Sequence, residues 1–196
     1  MLKRIAIALL GGALIIPAGF TPAAFAADQK QEQNQQHMDP YVEGPTNETA
    51  LIQKVRHELV MLPYYSIFDD LGFRVDGSTV ILTGQVVRPT LKSDAGNVVK
   101  RIEGVKNVVN NIEVLPLSPM DNQIRRATAR AIYGDTTLST RYGFQALPSI
   151  HIIVKNGHVR LEGVVANQMD KQIAATRAKS VPNVFSVDDQ LRVEGK

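Results

Sequence analysis

The residues of this sequence that could do chemistry form few recognisable arrangements, and two histidines are the strongest candidates. His151 and His158 flank one predicted hairpin, and Glu162 is the nearby residue that could complete a metal site with them. The alternative is that both histidines are polar residues on a solvent-exposed face. Asp69 and Asp70 are adjacent, so in an extended chain their carboxylates point apart and do not form an acid–base pair. With no G-x-S-x-G, H-E-x-x-H or glycine-rich phosphate loop, we predict no enzyme, no metal and no cofactor.

Basic residues indicate a different kind of site, one for anionic surfaces. One predicted helix carries Arg125, Arg126 and Arg130 away from its apolar face, and the next helix carries Lys171 and Lys179. Each basic residue near an anionic membrane contributes ~1 kcal/mol, so three give about 3 kcal/mol, short of the ~4 kcal/mol of millimolar binding. Charge alone is therefore too weak, and aromatic insertion is needed as well.

Aromatic residues for such insertion lie in a predicted loop at residues 133–148, which carries Tyr133, Tyr142 and Phe144. The alternative is a solvated helix face with aromatic residues in the core. The lipid-binding hypothesis names Arg125, Arg126, Arg130, Lys171, Lys179, Tyr142 and Phe144. Nucleic acid is a poorer partner, because the protein is predicted to be exported and nearly neutral.

These residues belong to a unit that occurs twice. The stretch VDGSTVILTGQV at residues 75–86 returns 79 residues later as VKNGHVRLEGVV at residues 154–165. Most identical positions are apolar or glycine, which a shared core and shared turns would keep. A period this long indicates tandem domains, and we place them at residues 46–116 and 117–196.

Apolar periodicity predicts the order helix, strand, strand, helix, strand in each unit. Alternating strands joined near Gly77 and Gly157 predict antiparallel hairpins. Gly77 lies one position off its counterpart, so the two turns are expected to differ in length. A final strand is expected from Val105 to Val114, and Asp121 is expected to cap the first helix of the second unit. If Ile52 aligns with Ile124, the second unit carries a seven-residue insertion within residues 133–148.

Three other glycines and one asparagine occupy positions where the backbone is expected to need them. Gly84 and Gly163 lie on the apolar face of a strand, which predicts a bulge or a closely packed helix. Gly104 and Asn183 follow the second helix of each unit, where a left-handed residue commonly ends a helix.

The sheet face turned away from the helices is a second candidate surface. In the second unit it would carry His151, Ile153, Arg160, Glu162 and Val164. Ile153 and Val164 are apolar on a face that one helical layer cannot cover, so docking of the other domain or of a partner would bury them.

The N-terminus predicts export. Lys3 and Arg4 precede an apolar run that is shorter than the ~20 residues of a spanning helix, and small residues ending at Ala26 follow. We expect a signal peptide at residues 1–26 and a flexible polar leader at residues 27–45. The sequence has no cysteine, so neither a disulfide nor N-terminal lipidation is expected. We predict a periplasmic protein with no transmembrane segment after cleavage.

The pattern V-x-x-G-x-V-x-L-x-G-x-V resembles the signature of tandem BON-domain proteins. The second unit matches it at Val154, Gly157, Val159, Leu161, Gly163 and Val165. The resemblance implies an α+β fold of two αββαβ domains, each a small mixed three-stranded sheet with two helices on one face. It also implies a non-catalytic envelope protein that associates with phospholipid surfaces or envelope proteins and supports envelope integrity or stress resistance. The alternative function is a chaperone-like, protein-binding stress factor. Sequence predicts neither the oligomeric state nor the domain orientation.

Overall fold

The structure is a computed structural model that describes residues 50–194. The predicted signal peptide at residues 1–26 and leader at residues 27–45 lie outside the described residues. Within the described part of the chain, no helix has both the length and the apolar character needed to cross a membrane.

Each repeat folds into helices on one side of a small mixed sheet. The first domain consists of α1 (Ala50–Val60), β1 (Asp70–Asp76), β2 (Thr79–Val86), α2 (Pro89–Lys100), β3 (Asn107–Asn110) and β4 (Glu113–Val114). The second consists of α3 (Pro119–Tyr133), α4 (Thr136–Tyr142), β5 (Ile150–Lys155), β6 (His158–Val165), α5 (Gln168–Lys179), β7 (Ser186–Asp189) and β8 (Arg192–Val193). In each domain the first two strands are antiparallel, and the later strands run parallel to the second strand. The predicted α+β fold of two tandem domains is confirmed.

The final strand of each domain is broken in two. One strand was expected from Val105 to Val114, but β3 and β4 are separated at Asn111 and Ile112. Ile112 is 1% exposed because it enters the core of the first domain. Leu191 does the same between β7 and β8 in the second domain. The break therefore places one more apolar side chain beneath the helices.

The hairpin turns have equal lengths, so the expected difference is wrong. Both loops contain two residues, since Asp76 pairs with Thr79 and Lys155 pairs with His158. The turns differ in backbone conformation instead. Gly77 alone has a positive φ in the first turn, whereas both residues of the Asn156-Gly157 turn have one.

The two glycines on the apolar strand face are explained by the neighbouring strand and not by a helix. Gly84 and Gly163 have φ values of +111° and +112°. A Cβ at Gly84 would lie 2.1 Å from the Asp70 carbonyl oxygen, and one at Gly163 would lie 1.9 Å from the Ser149 carbonyl oxygen. Close backbone approach within the sheet, at a left-handed residue, therefore requires glycine.

The first helices of the two domains align one position away from the expected register. Val55 and Leu59 are buried in α1, and the residues buried at the same spacing in α3 are Thr128 and Ile132. The insertion in the second domain is therefore six residues, and the predicted loop contains α4. Its helical turns pack against α3 and α5 and place Leu138 in the core.

Asp121 does not cap α3 as expected. Ser118 is the cap, because its hydroxyl oxygen accepts the Asp121 N–H at 3.1 Å. The Asp121 carboxylate is 1% exposed and accepts the N–H groups of Asn156 at 2.9 Å and Gly157 at 2.8 Å. A buried carboxylate thus holds the β5–β6 turn against the start of α3.

The two domains pack together on the sides of their sheets that face away from the helices. Arg160 of β6 donates to Gln85 Oε1 at 2.8 Å, and Lys155 Nζ lies 2.5 Å from Glu113 Oε1. Ile153 lies on the same face of β5 and is 2% exposed, yet it belongs to neither domain core. The first domain therefore covers Ile153.

Candidate functional site

Each domain has an open groove beside its first helix, between α1 and the end of α2 in the first domain and between α3 and residues 182–183, after α5, in the second. The groove of the first domain has a volume of about 620 Å³, and that of the second has about 460 Å³. Four lining residues correspond in the aligned helices: Ala50, Gln53, Lys54 and His57 in α1, and Gln123, Arg126, Ala127 and Arg130 in α3. The repeat thus builds one concavity twice, with different side chains.

The charge of the second groove distinguishes it from the first. Its described lining carries Arg126 and Arg130 and no acidic residue, whereas Glu58 and Glu103 line the first groove. Arg126 and Arg130 are four residues apart on α3, so they project from one face of the helix. Both are exposed, and neither forms an ion pair with another residue in the described range 50–194. Two unneutralised guanidinium groups beside a concavity can bind an anion.

The structure places Arg125 in the interior, contrary to the expectation that it lies off the apolar face. It is 3% exposed and occupies the helical position of Ile52 in the first domain. Its guanidinium donates to the Val154 carbonyl oxygen and to Asn122 Oδ1, each at 2.6 Å. Burial lowers its pKa. Arg125 is therefore unavailable to a lipid surface.

The two candidate lysines of α5 differ in availability. Lys171 donates to the Leu191 carbonyl oxygen at 2.6 Å and lies 3.8 Å from Asp189 Oδ1. It is therefore occupied within the domain. Lys179 is exposed at the C-terminal end of α5.

The aromatic candidates also differ in whether they are available to a lipid surface. Tyr142 is 6% exposed, and its hydroxyl donates to Asp170 Oδ2 at 2.5 Å and accepts the Ala166 N–H at 2.9 Å. Burial, followed by the hydrogen bond to Asp170, raises its pKa. Tyr133 is also engaged, because its hydroxyl donates to the Ile150 carbonyl oxygen at 2.6 Å. Phe144 is 86% exposed and remains available.

The structure does not bring the candidate metal ligands together. His151 lies opposite Glu162, and His158 lies opposite Lys155, so the two histidines are about 13 Å apart along the hairpin at ~3.3 Å per residue. His151 Nδ1 lies 2.7 Å from the Asp69 carbonyl oxygen, and His158 Nδ1 lies 2.7 Å from Ser186 Oγ.

The two apolar candidates on the outer sheet face have different surroundings. Ile153 is covered by the first domain, which is one of the two outcomes expected for it. Val164 is half-buried. Sequence reasoning did not identify Ile67 and Phe68 as the residues that contact the second domain, although they pack against its core. The only signal was their position: two apolar residues before β1, outside the alternation of the hairpin.

Comparison with known proteins agrees with a tandem arrangement. A family model described as BON domain matches residues 47–116 and 121–195. Osmotically-inducible protein Y of Escherichia coli (strain K12) is 26% identical over 195 residues, which cover 92% of this chain and 92% of that protein. The C-terminal domain of CdsD, a structural protein of the Type III secretion system of Chlamydia trachomatis, is 13% identical, with a TM-score of 0.30 over 75% of this chain and 98% of that chain. A TM-score this low carries no conclusion for the present chain.

Proposed function

This chain belongs to the BON-domain family and carries two copies of the domain, and from that premise we propose that it is a non-catalytic protein of the bacterial envelope. It is exported to the periplasm as a soluble protein without a lipid anchor, binds anionic phospholipid through its second domain, and supports envelope integrity under osmotic stress. The name of its relative, osmotically-inducible protein Y, supports the link to osmotic stress. The charged and apolar order of the first 26 residues supports export.

The observation that carries lipid binding is the groove with Arg126 and Arg130 on its rim. A headgroup phosphate seated there can accept charge-assisted hydrogen bonds from both guanidinium groups. Together with Lys179, these cations supply about 3 kcal/mol near an anionic membrane, and each hydrogen bond to a charged group adds about 1.5–3 kcal/mol. Hydrogen bonds in the groove therefore add the binding free energy that surface charge alone does not provide.

Flotation with phosphatidylglycerol vesicles tests this function. We expect the mature chain to float with these vesicles and not with phosphatidylcholine vesicles. The double variant Arg126→Ser/Arg130→Ser should lose most of its retention, and replacing both arginines with lysine should restore part of it. The matched control is Lys54→Ser/Arg101→Ser, which removes two exposed cations from the groove of the first domain.

The comparison between the two double variants decides the result. No retention of the unmodified chain, or equal losses in the two double variants, would contradict headgroup binding in the second groove. Phe144→Ser forms a separate arm and reports aromatic insertion: a loss there with normal retention in the arginine variant would place lipid contact on the loop instead.

A further inference from the structure

Exposed apolar side chains lie together at one end of the second domain, beside the basic groove. Leu117 and Met120 are exposed on either side of Ser118, the cap of α3. Phe185, just before β7, is 76% exposed. Leu117, Met120 and Phe185 are here called the apolar tip. Large apolar side chains that are exposed together mark a surface that contacts a membrane or another molecule.

Hydrogen bonds around the β5–β6 turn place these residues at the same end of the domain. The Asp121 carboxylate, next to Met120, accepts the N–H groups of Asn156 and Gly157 in this turn. The Gly157 carbonyl oxygen accepts the Phe185 N–H at 2.9 Å. The start of α3, the turn and Phe185 are therefore joined by direct contacts.

The apolar tip borders the groove that carries the two arginines. Asn183, which lines the groove, lies two residues before Phe185. On α3, Gln123 and Ala127 line the groove as well. Met120 lies three residues before Gln123 and seven before Ala127, so it continues the same face of the helix. A ligand in the groove therefore has apolar side chains next to it.

The fold does not require an apolar residue at the position of Phe185. In the first domain Lys106 occupies the aligned position, and its N–H bonds the Ser78 carbonyl oxygen at 2.8 Å. The Phe185 N–H makes the same backbone contact with Gly157, which aligns with Ser78. The exposed ring is thus a feature of the domain that also carries the basic groove.

The Phe185 ring packs against the β5–β6 turn on one side. A Cβ at Gly157 would lie 2.7 Å from the ring, and the His158 ring lies edge-on with its centroid 5.9 Å away. A side chain that is already positioned loses less conformational entropy when it binds. The exposed part of the ring is therefore held ready for contact.

Phe144, the exposed aromatic residue of the inserted segment, does not border the groove. Two residues before it, the Tyr142 hydroxyl accepts the Ala166 N–H at the end of β6. The β5–β6 turn precedes the start of β6. The eight residues of β6 separate these two ends by about 23 Å at ~3.3 Å per residue.

We propose that the apolar tip inserts among the acyl chains of a bilayer while the basic groove holds a headgroup phosphate. The end of the second domain that contains the β5–β6 turn then faces the membrane. This inference rests on the proposed binding of anionic phospholipid and identifies the apolar layer beneath the phosphates as part of the ligand. Charge attracts the domain to the surface, and burial of Phe185 retains it there.

The spacing along α3 matches the depth of the bilayer interface. Arg126 lies six residues after Met120, which is about 9 Å along the helix axis at ~1.5 Å per residue. Interfacial protein segments bury their apolar side chains by ~5–10 Å. With the apolar tip at that depth, the Arg126 guanidinium lies at the level of the phosphates.

Tryptophan fluorescence tests the insertion directly, because the sequence contains no tryptophan. The emission of Phe185→Trp should shift to shorter wavelength with phosphatidylglycerol vesicles, and lipids brominated on their acyl chains should quench it. Phe144→Trp is the matched control at the other end of the domain, and its emission should not change. Free glycerol phosphate, which has no acyl layer, should leave the emission of both variants unchanged.

Flotation at several salt concentrations separates insertion from charge. Phe185→Ser should weaken retention several-fold without changing its dependence on salt, because apolar burial is not screened by ions. Phe185→Leu keeps an apolar side chain and should preserve most of the retention. Arg126→Ser/Arg130→Ser should instead remove most of the dependence on salt.

The outcomes distinguish this proposal from the headgroup site on which it rests. Vesicle binding with unchanged emission of Phe185→Trp, or equal quenching in Phe144→Trp, would overturn insertion by the apolar tip and leave the headgroup site standing. No vesicle binding by the unmodified chain would overturn both. An emission shift of Phe185→Trp that depends on protein concentration and needs no vesicles would assign the apolar tip to a second copy of the chain, and would overturn the proposal.

Discussion

Two glycines of the first hairpin adopt left-handed backbone conformations for different reasons. Gly77 and Gly84 both have positive φ in the first domain, at +58° and +111°, but their surroundings differ. A Cβ at Gly77 would meet nothing within 4 Å, whereas a Cβ at Gly84 would collide with the Asp70 carbonyl group. The two positions therefore separate the cost of a left-handed backbone from the cost of a backbone collision.

We expect Gly77→Ala to lower the free energy of unfolding by roughly 1–2 kcal/mol, which is the ordinary penalty of a left-handed residue with a Cβ. Gly84→Ala should lower it by more than about 3 kcal/mol, because the strand must also move away from β1. Urea denaturation of both variants measures the difference. Equal losses would show that close approach within the sheet is not what requires glycine at Gly84.

At the scale of elements, the inserted helix α4 is held in the second domain by hydrogen bonds to the start of α5. Tyr142 and Arg141 at its C-terminal end both donate to the Asp170 carboxylate, which is 1% exposed at the start of α5. The same Tyr142 hydroxyl accepts the Ala166 N–H. The insertion is thereby tied to the N-terminus of α5 by polar contacts.

Replacing Tyr142 with phenylalanine keeps the ring and removes these bonds. We expect a loss of about 1–3 kcal/mol in the free energy of unfolding, because the Ala166 N–H loses its acceptor and Asp170 loses a donor. Tyr64→Phe, at a side chain that is 70% exposed, should change it by less than about 0.5 kcal/mol. Vesicle retention of Tyr142→Phe should be unchanged. A loss of retention without a loss of stability would indicate that Tyr142 contacts lipid.

Local patterns predicted the elements well, and contacts distant in sequence account for the differences. The hairpins follow from alternation and turn residues, and Gly104 and Asn183 adopt the expected left-handed conformation, with φ of +97° and +67°. Arg125 could not be placed from its helix alone, since its partner is the Val154 carbonyl oxygen on a strand 29 residues away. Residue type indicated an exposed cation, but the Val154 carbonyl oxygen on β5 provides a buried acceptor for it.

At the scale of the molecule, the domains are joined by apolar packing of Ile67 and Phe68 and by a polar network. Lys155 bonds Glu113, and Arg160 bonds Gln85 and lies 3.8 Å from Asp70 Oδ2. The hydrogen bond from Lys155, followed by that from Gln85, lowers the pKa of Glu113. Because the pKa of Glu113 is lowered, its carboxylate stabilises the docked state at pH values above its unfolded pKa. This stabilisation is lost as the pH falls through the lowered pKa.

We therefore expect acid to loosen the domains by a small amount, under about 1 kcal/mol from Glu113 because both partners are partly exposed. Rotational correlation times from relaxation should match for the two domains at neutral pH and diverge below about pH 4. In Glu113→Gln, the correlation times of the two domains should diverge less with falling pH than they do in the unmodified chain. Glu103→Gln, at an exposed residue, should behave like the unmodified chain. If Glu113→Gln also matches the unmodified chain, this ion pair does not contribute to domain docking.

The contact of residues 65–69 with β5 fixes the order of the two domains along the chain. The first domain contributes Ile67 and Phe68 to this contact, and the second domain contributes Ile152 and His151. A chain with the two halves transposed would contain every residue of this one and still lack its internal contact, because the flanking segments would come in the wrong succession. The two copies of the repeat are therefore complementary and not interchangeable.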